Sequence, residues 1–166
     1  MKHYIFFTAS LFCVGCSSIK SDLSYQKGKD CFWNGQYHEA LAHLHRAIEL
    51  DPHSASGHRQ LALTYERMNN LPLAWEHARI AYSIDKFSQI NLDVLARIFR
   101  SVAKKNHFDE PRKPEAAIVV DVLGTADKYL HSDRGDLKAL YYGPICLHIE
   151  QGRLSSTEWL GLVSTR

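Results

Sequence analysis

The residues of this 166-residue chain best suited to chemistry are its ten histidines and four cysteines. His38, His45 and Glu49 stand seven and four residues apart, which places them on one stripe of a helix. The stripe holds no i, i+4 histidine pair and no cysteine, so it reads as a solvated helix face, and neither a metal site nor a cofactor is expected. His43 and His77 recur 34 residues apart and read as surface or packing residues. Gly124-Thr125, Gly135-Asp136 and Gly152-Arg153 are isolated turn or cap signals. No nucleophile elbow, phosphate loop or paired catalytic motif surrounds them, so an enzyme is not expected, and no small-molecule substrate either.

The elements that must position such residues start from composition. With 45% hydrophobic and 23% charged residues, 9 Gly and 5 Pro, the chain can form one ordinary core. Lys plus Arg total 20 against 18 Asp plus Glu, and no long basic run occurs, so nothing points to nucleic acid. The one long apolar stretch is N-terminal: Lys2 supplies a charge, Tyr4 to Val14 are almost wholly apolar, and Val14-Gly15-Cys16 is followed by Ser17 and Ser18. This is the order of a bacterial export signal, and its ending resembles a lipobox, with Cys13 where leucine is usual. The resemblance implies a lipoprotein signal peptide over 1–15, palmitate-type lipidation of Cys16, and a lipidated N-terminus and linker over 16–22. More than one acyl chain on a cysteine is what stable anchoring requires. Ser17 implies the outer membrane, facing the periplasm; an uncleaved inner-membrane anchor and plain secretion are the alternatives.

Repetition organises the chain beyond this segment. Gly28, Cys31, Gly35, Tyr37, Ala40, Leu44, Ala47, Leu50 and Pro52 recur 34 residues later as Ala62, Tyr65, Asn69, Leu71, Ala74, Ala78, Ala81, Ile84 and Lys86. Small residues at Gly28, Ala62, Ala40 and Ala74 let paired helices cross closely. Asn34-Gly35 and Asn69-Asn70 suit the turn between them, and Asp51-Pro52 ends a second helix. The pattern strongly resembles the tetratricopeptide repeat (TPR), with Ser24 and His58 where tryptophan is usual. The resemblance implies an all-α, helix-turn-helix solenoid of about three to four repeats: one over 21–54, one over 55–88, and a degenerate pair over 89–135. That third pair has a loop from Lys104 to Lys113 and a second helix from Pro114-Glu115 to about His131. Over 136–166 the expectation is degenerate helices or a cap, with Gly143 and Cys146 in register with Gly28 and Cys31. Pro144 would kink this segment, and a last helix capped by Ser155 or Ser156 would carry Trp159, Leu160 and Val163.

Once Cys13 leaves with the signal and Cys16 carries lipid, Cys31 and Cys146 remain, three units apart. Layers stacked at roughly 8–10 Å put them beyond disulfide reach, so free buried thiols are expected. Resemblance assigns the repeat's peptide-binding groove to Tyr25, Lys29, Phe32 and Trp33, then Arg59, Leu63, Glu66 and Arg67, then Asp93, Arg97 and Arg100. The alternative is that Phe32 and Trp33 pack against the linker or a neighbouring helix. The implied function is a membrane-tethered protein–protein interaction adaptor whose partner is an envelope protein or peptide segment. Assembly of a pilus or secretion system comes first; an adaptor for peptidoglycan enzymes, or a non-lipidated exported chaperone or enzyme, are the alternatives.

Overall fold

The computed structural model describes residues 5–108 and 113–160, with side chains from Ser18 onward. The side chain of Cys16, the expected lipid site, and Val163 lie outside the described residues. The chain divides into unit 1, Met1–Asp85, and unit 2, Lys86–Arg166.

Unit 1 consists of α1 (Ile5–Trp33), α2 (Tyr37–Leu50), α3 (Ala55–Arg67) and α4 (Leu71–Ile84). Its helix ends repeat with the sequence. After α1, Gly35 adopts φ 77°. Its N–H reaches the Phe32 carbonyl at 3.0 Å, and the Gln36 N–H reaches that of Cys31 at 2.9 Å. After α3, Asn69 adopts φ 59°, and the Asn69 and Asn70 N–H groups bond the Glu66 and Tyr65 carbonyls, both at 2.9 Å. Both ends are the paired-bond cap that needs a residue tolerant of positive φ. α2 and α4 also stop alike, at Asp51 and Asp85, whose N–H groups bond the Ala47 and Ala81 carbonyls. Ser54 then caps α3 by accepting from the Gly57 N–H, and Asn70 caps α4 by accepting from that of Leu73.

The helices pair as α1 with α2 and α3 with α4, and α2 also meets α3. A Cβ on Gly28 would lie 2.6 Å from Leu44 Cγ and 3.3 Å from the Ala40 carbonyl oxygen, so the α1–α2 crossing has no room for a side chain there. Ala40, Leu44, Ala62 and Ala74 are wholly buried. Residues 18–22, expected as linker, instead continue α1. Ser21 is buried and its hydroxyl donates to the Ala47 carbonyl at 3.0 Å. Packing therefore begins five residues after Cys16.

Unit 2 opens with α5 (Gln89–Lys105), capped by the Ser88 hydroxyl and burying Leu92, Leu95, Ile98, Phe99 and Val102 along one side. Its end repeats the same cap, with His107 at φ 60° and the Phe108 N–H bonded to the Ala103 carbonyl. Short α6 (Ala116–Leu123) stops at Gly124 rather than near His131. Beyond it the all-α expectation fails. Residues 128–159 form an antiparallel four-stranded meander, β1 (Lys128–His131), β2 (Leu137–Tyr142), β3 (Ile145–Glu150) and β4 (Arg153–Trp159), in that order.

The turns explain the correction. Gly135 and Gly143 have φ 86° and 61°, and the pair Gln151-Gly152 has 52° and 76°. Two successive positive-φ residues make a tight hairpin of the I′ kind, and glycine before proline suits the II′ kind. Gly143 and Pro144 are therefore a turn, not a helix crossing and its kink, and Ser155 and Ser156 lie in β4 rather than at a helix cap. One sheet face carries Leu140, Tyr142, Ile145, Leu147 and Leu154 into the core, where Val119 and Leu123 of α6 are also buried. The Tyr142 hydroxyl donates to the Gly124 carbonyl at 2.8 Å, tying the end of α6 to the sheet.

Gly28→Val should destabilise unit 1 by about 1–3 kcal/mol through overpacking against Leu44. Ala40→Asp and Ala74→Asp should each cost several kcal/mol, about the penalty of an unpaired buried charge. Melting followed by circular dichroism reads the losses; parent-like midpoints in all three would contradict the close crossing.

Candidate functional site

Residues four apart on a helix share a side, which aligns Tyr25 with Lys29 on α1 and Arg59 with Leu63 and Arg67 on α3. The Lys29 ammonium lies 5.6 Å from the Tyr25 ring centre. Phe32 packs edge-on to Trp33 at 5.4 Å and tilted to Tyr37 at 5.7 Å, and the Arg67 guanidinium covers its ring at 5.7 Å. Phe32 is only 7% exposed, whereas Trp33 is 74% exposed. Of the aromatic pair assigned to the groove, Phe32 is thus a core residue that supports the surface, and Trp33 is the one a partner can touch. Arg59, Leu63 and Glu66 are half-buried and Arg67 is exposed. Asp93, Arg97 and Arg100 stand on the exposed side of α5, in unit 2, with Asp93 accepting from the Gln89 amide at 2.8 Å. The structure brings Trp33 and Arg67 together on the Phe32 ring and, on the same helix α1, pairs Lys29 with Tyr25.

Histidines of α2, α3 and α4 form a largely buried network, with His77 packed between helices and His45, expected on a solvated face, half-buried. His58 Nε2 faces the Pro52 carbonyl at 3.2 Å and so carries the hydrogen there, leaving Nδ1 to accept. His77 Nδ1 lies 3.0 Å from that acceptor and is the donor. The His77 ring stacks on Tyr65 at 5.6 Å, and the Tyr65 hydroxyl shares a hydrogen bond of 2.8 Å with His45 Nε2. Burial, together with the neighbouring His58 and His45, pushes His77 down to about 4. Burial also lowers His58, opposed by the Pro52 carbonyl and by the charges of Asp51 and Glu76. Burial raises the Tyr65 hydroxyl. Two protonated rings cannot share the His58–His77 bond, because both Nδ1 atoms would then be donors. His38 and Glu49 are exposed, as expected of a solvated helix face, and Glu49 pairs with Arg46 at 2.9 Å; His45 departs from it by turning onto Tyr65.

A second cluster lies on the sheet, where helix reasoning did not look. Cys146 and His148 alternate onto the same face of β3, Glu158 of β4 stands opposite Cys146, and Tyr141 of β2 faces Cys146 from the other side. His148 Nε2 is 3.7 Å from Cys146 Sγ and 3.0 Å from Glu158 Oε2. Burial raises the Cys146 thiol, while a hydrogen bond with the Tyr141 hydroxyl works against that rise. Cys31 is a free thiol too, but half-buried rather than buried as expected. A Cys-x-His pair within an alternating apolar run was the available signal.

Because His77 and His58 resist protonation in the fold and not in the unfolded chain, their contribution is complete above about pH 6.5 and is lost as pH falls toward 4. The melting midpoint should fall through that window, and His77→Phe should flatten the dependence. A parent midpoint that stays level from pH 6.5 to 4 would exclude neutral buried histidines.

With this geometry in view, the chain can be set beside known proteins. The family model described as TPR repeat matches residues 28–69, the stretch from the Gly28 crossing to the Asn69 cap. No curated protein matches the chain. Residues 28–69 of unit 1 therefore resemble tetratricopeptide repeats, which serve protein–protein interaction by holding protein or peptide partners, and unit 2 adds a sheet.

Proposed function

We propose that the chain is an exported lipoprotein, tethered through Cys16 to the outer membrane and facing the periplasm. Its repeat unit holds a segment of another envelope protein, in the manner of an assembly factor for a pilus or secretion system. The observation that carries the binding role is the exposed Trp33 ring, packed edge-on to Phe32, whose own ring the Arg67 guanidinium covers. A large aromatic anchor with an arginine on the neighbouring ring suits an extended peptide bearing both an apolar side chain and carboxylates, which guanidinium groups grip in a bidentate way. On this reading the chain acts by binding and not by catalysis.

The Val14-Gly15-Cys16 ending supports the tether. Cleavage before Cys16 would place the lipid about 8 Å, five residues of helix, from Ser21, where packing with α2 begins. A lipid so close to the packed repeat holds unit 1 against the membrane surface without a long flexible spacer. Among the described residues, no helix is long and apolar enough to cross a membrane.

Cys16→Ala should abolish labelling by radioactive palmitate and release the chain from the membrane fraction. A parent that takes up no label while remaining membrane-bound excludes the lipoprotein reading.

Trp33→Ala should weaken capture of the envelope partner by about 2 kcal/mol, roughly thirtyfold, and more than any single Arg59→Glu, Arg67→Glu, Arg97→Glu or Arg100→Glu change. Substitution at the exposed Trp33, Arg97 and Arg100 should shift folding stability by no more than about 0.5 kcal/mol, and melting curves of the half-buried Arg59 and ring-covering Arg67 variants separate lost binding from lost stability. Quantitative co-purification from native envelope makes the measurement. Capture that survives the Trp33, Arg59 and Arg67 changes discards the unit 1 face, capture that survives Arg97→Glu and Arg100→Glu removes those α5 residues from the reading, and turnover of a substrate with no stoichiometric partner favours an enzyme.

A further inference from the structure

We infer that Cys146, His148 and Glu158 form a binding site for one divalent ion of the zinc class on the sheet, where Cys146 is buried and His148 and Glu158 reach solvent. The three donor atoms lie within 4.8 Å of one another, one each from a thiol, an imidazole and a carboxylate. Tetrahedral zinc with bonds of about 2.0–2.3 Å separates its donors by about 3.4–3.6 Å. The sulfur–nitrogen separation of 3.7 Å already fits, and the nitrogen–oxygen separation of 3.0 Å needs only a few tenths of an ångström of retreat by Glu158.

The backbone makes this arrangement a property of the fold rather than of one rotamer. Cys146 and His148 are two apart on β3 and so share a face, and ladder pairing sets Glu158 directly across from Cys146. A thiolate with an imidazole selects against calcium and magnesium, which take oxygen donors. Binding forms the sulfur–metal bond and releases the thiol proton to solvent, while His148 gives its Nε2 lone pair and keeps its hydrogen on Nδ1. Tyr141, hydrogen-bonded to Cys146, then donates its hydroxyl hydrogen to the thiolate, the kind of outer contact that tunes a metal ligand. The His148 and Glu158 side chains are 41% and 57% exposed, so the fourth position opens to solvent and takes a water or a donor from a partner. Three protein ligands with one open position is the arrangement of a reactive or exchangeable zinc site, not of a closed structural one.

The test titrates Co²⁺ alone into the reduced, tag-free full chain. One equivalent should bind, with thiolate-to-cobalt charge transfer and the strong d–d bands of a tetrahedral centre, and Zn²⁺ should displace it. Cys146→Ser should abolish the charge transfer, His148→Ala and Glu158→Gln should each weaken binding by more than about tenfold, and Cys31→Ala should change nothing. Absence of the bands in the parent, or their survival in Cys146→Ser, overturns the site and leaves a His148–Glu158 hydrogen bond only. Should Cys146→Ser fail to fold, the double variant His148→Ala, Glu158→Gln decides the matter: with native circular dichroism, lost cobalt binding supports the site and parent-like affinity overturns it.

Discussion

Helix α1 approaches α2 closely because Gly28 has no side chain, and much of unit 1 depends on that approach. With Leu44 where the missing Cβ would point, the rotation of α1 about its axis is settled. Successive residues on a helix are about 100° apart, so a rotation that buries Phe32 turns Trp33 outward. The same setting puts Tyr25 and Lys29 on a shared side and lets Arg67 of α3 lie over the Phe32 ring. An absent side chain in one helix thus decides which aromatic is structural and which is exposed.

The interior of unit 1 is more polar than its apolar pattern advertises. His58, His77, Tyr65 and His45 are each hydrogen-bonded, and the Pro52 carbonyl completes the series. A buried polar network of this type is stable only when every donor finds an acceptor, which here requires neutral rings in defined tautomers. It also ties α2, α3 and α4 together by directional bonds, where aliphatic contacts alone would tolerate sliding. Repeat packing and protonation state are therefore linked in unit 1.

Unit 2 is built on another pattern. Its strands alternate, sending Ile145 and Leu147 into the core and turning Cys146 and His148 to the other face. Hairpins with tight turns hold facing side chains in register more rigidly than loops do, so a set of dissimilar donors can be kept together there. The β4 end of the sheet is also stitched to the start of α6: the Leu154 N–H bonds the Pro114 carbonyl, the Ala116 N–H bonds that of Gly152, and Arg153 reaches Glu115 at 3.5 Å.

What the amino-acid sequence determined by itself was local and repeated. Gly35 and Asn69 marked helix ends because positive φ is a property of single residues, and Gly28 with Ala40 marked a crossing because small size is too. The candidate groove residues Trp33 and Arg67 followed from resemblance to the repeat, but the division of labour between Phe32 and Trp33 was not legible, since it depends on how α1 is turned against its neighbours. The sheet was misread for a related reason: Gly143 and Cys146 fit a helical register extended from the preceding repeats, and Pro144, the local sign against that register, reads there as a kink. Pairing decided otherwise, because the hydrogen bonds that make a strand come from residues elsewhere in the chain. The same holds for the two polar clusters, His58 with His77 across nineteen residues and Cys146 with Glu158 across twelve. Their members meet through helix packing and strand register, and those are set by the burial of apolar surface over the whole unit rather than by the residues that come to touch.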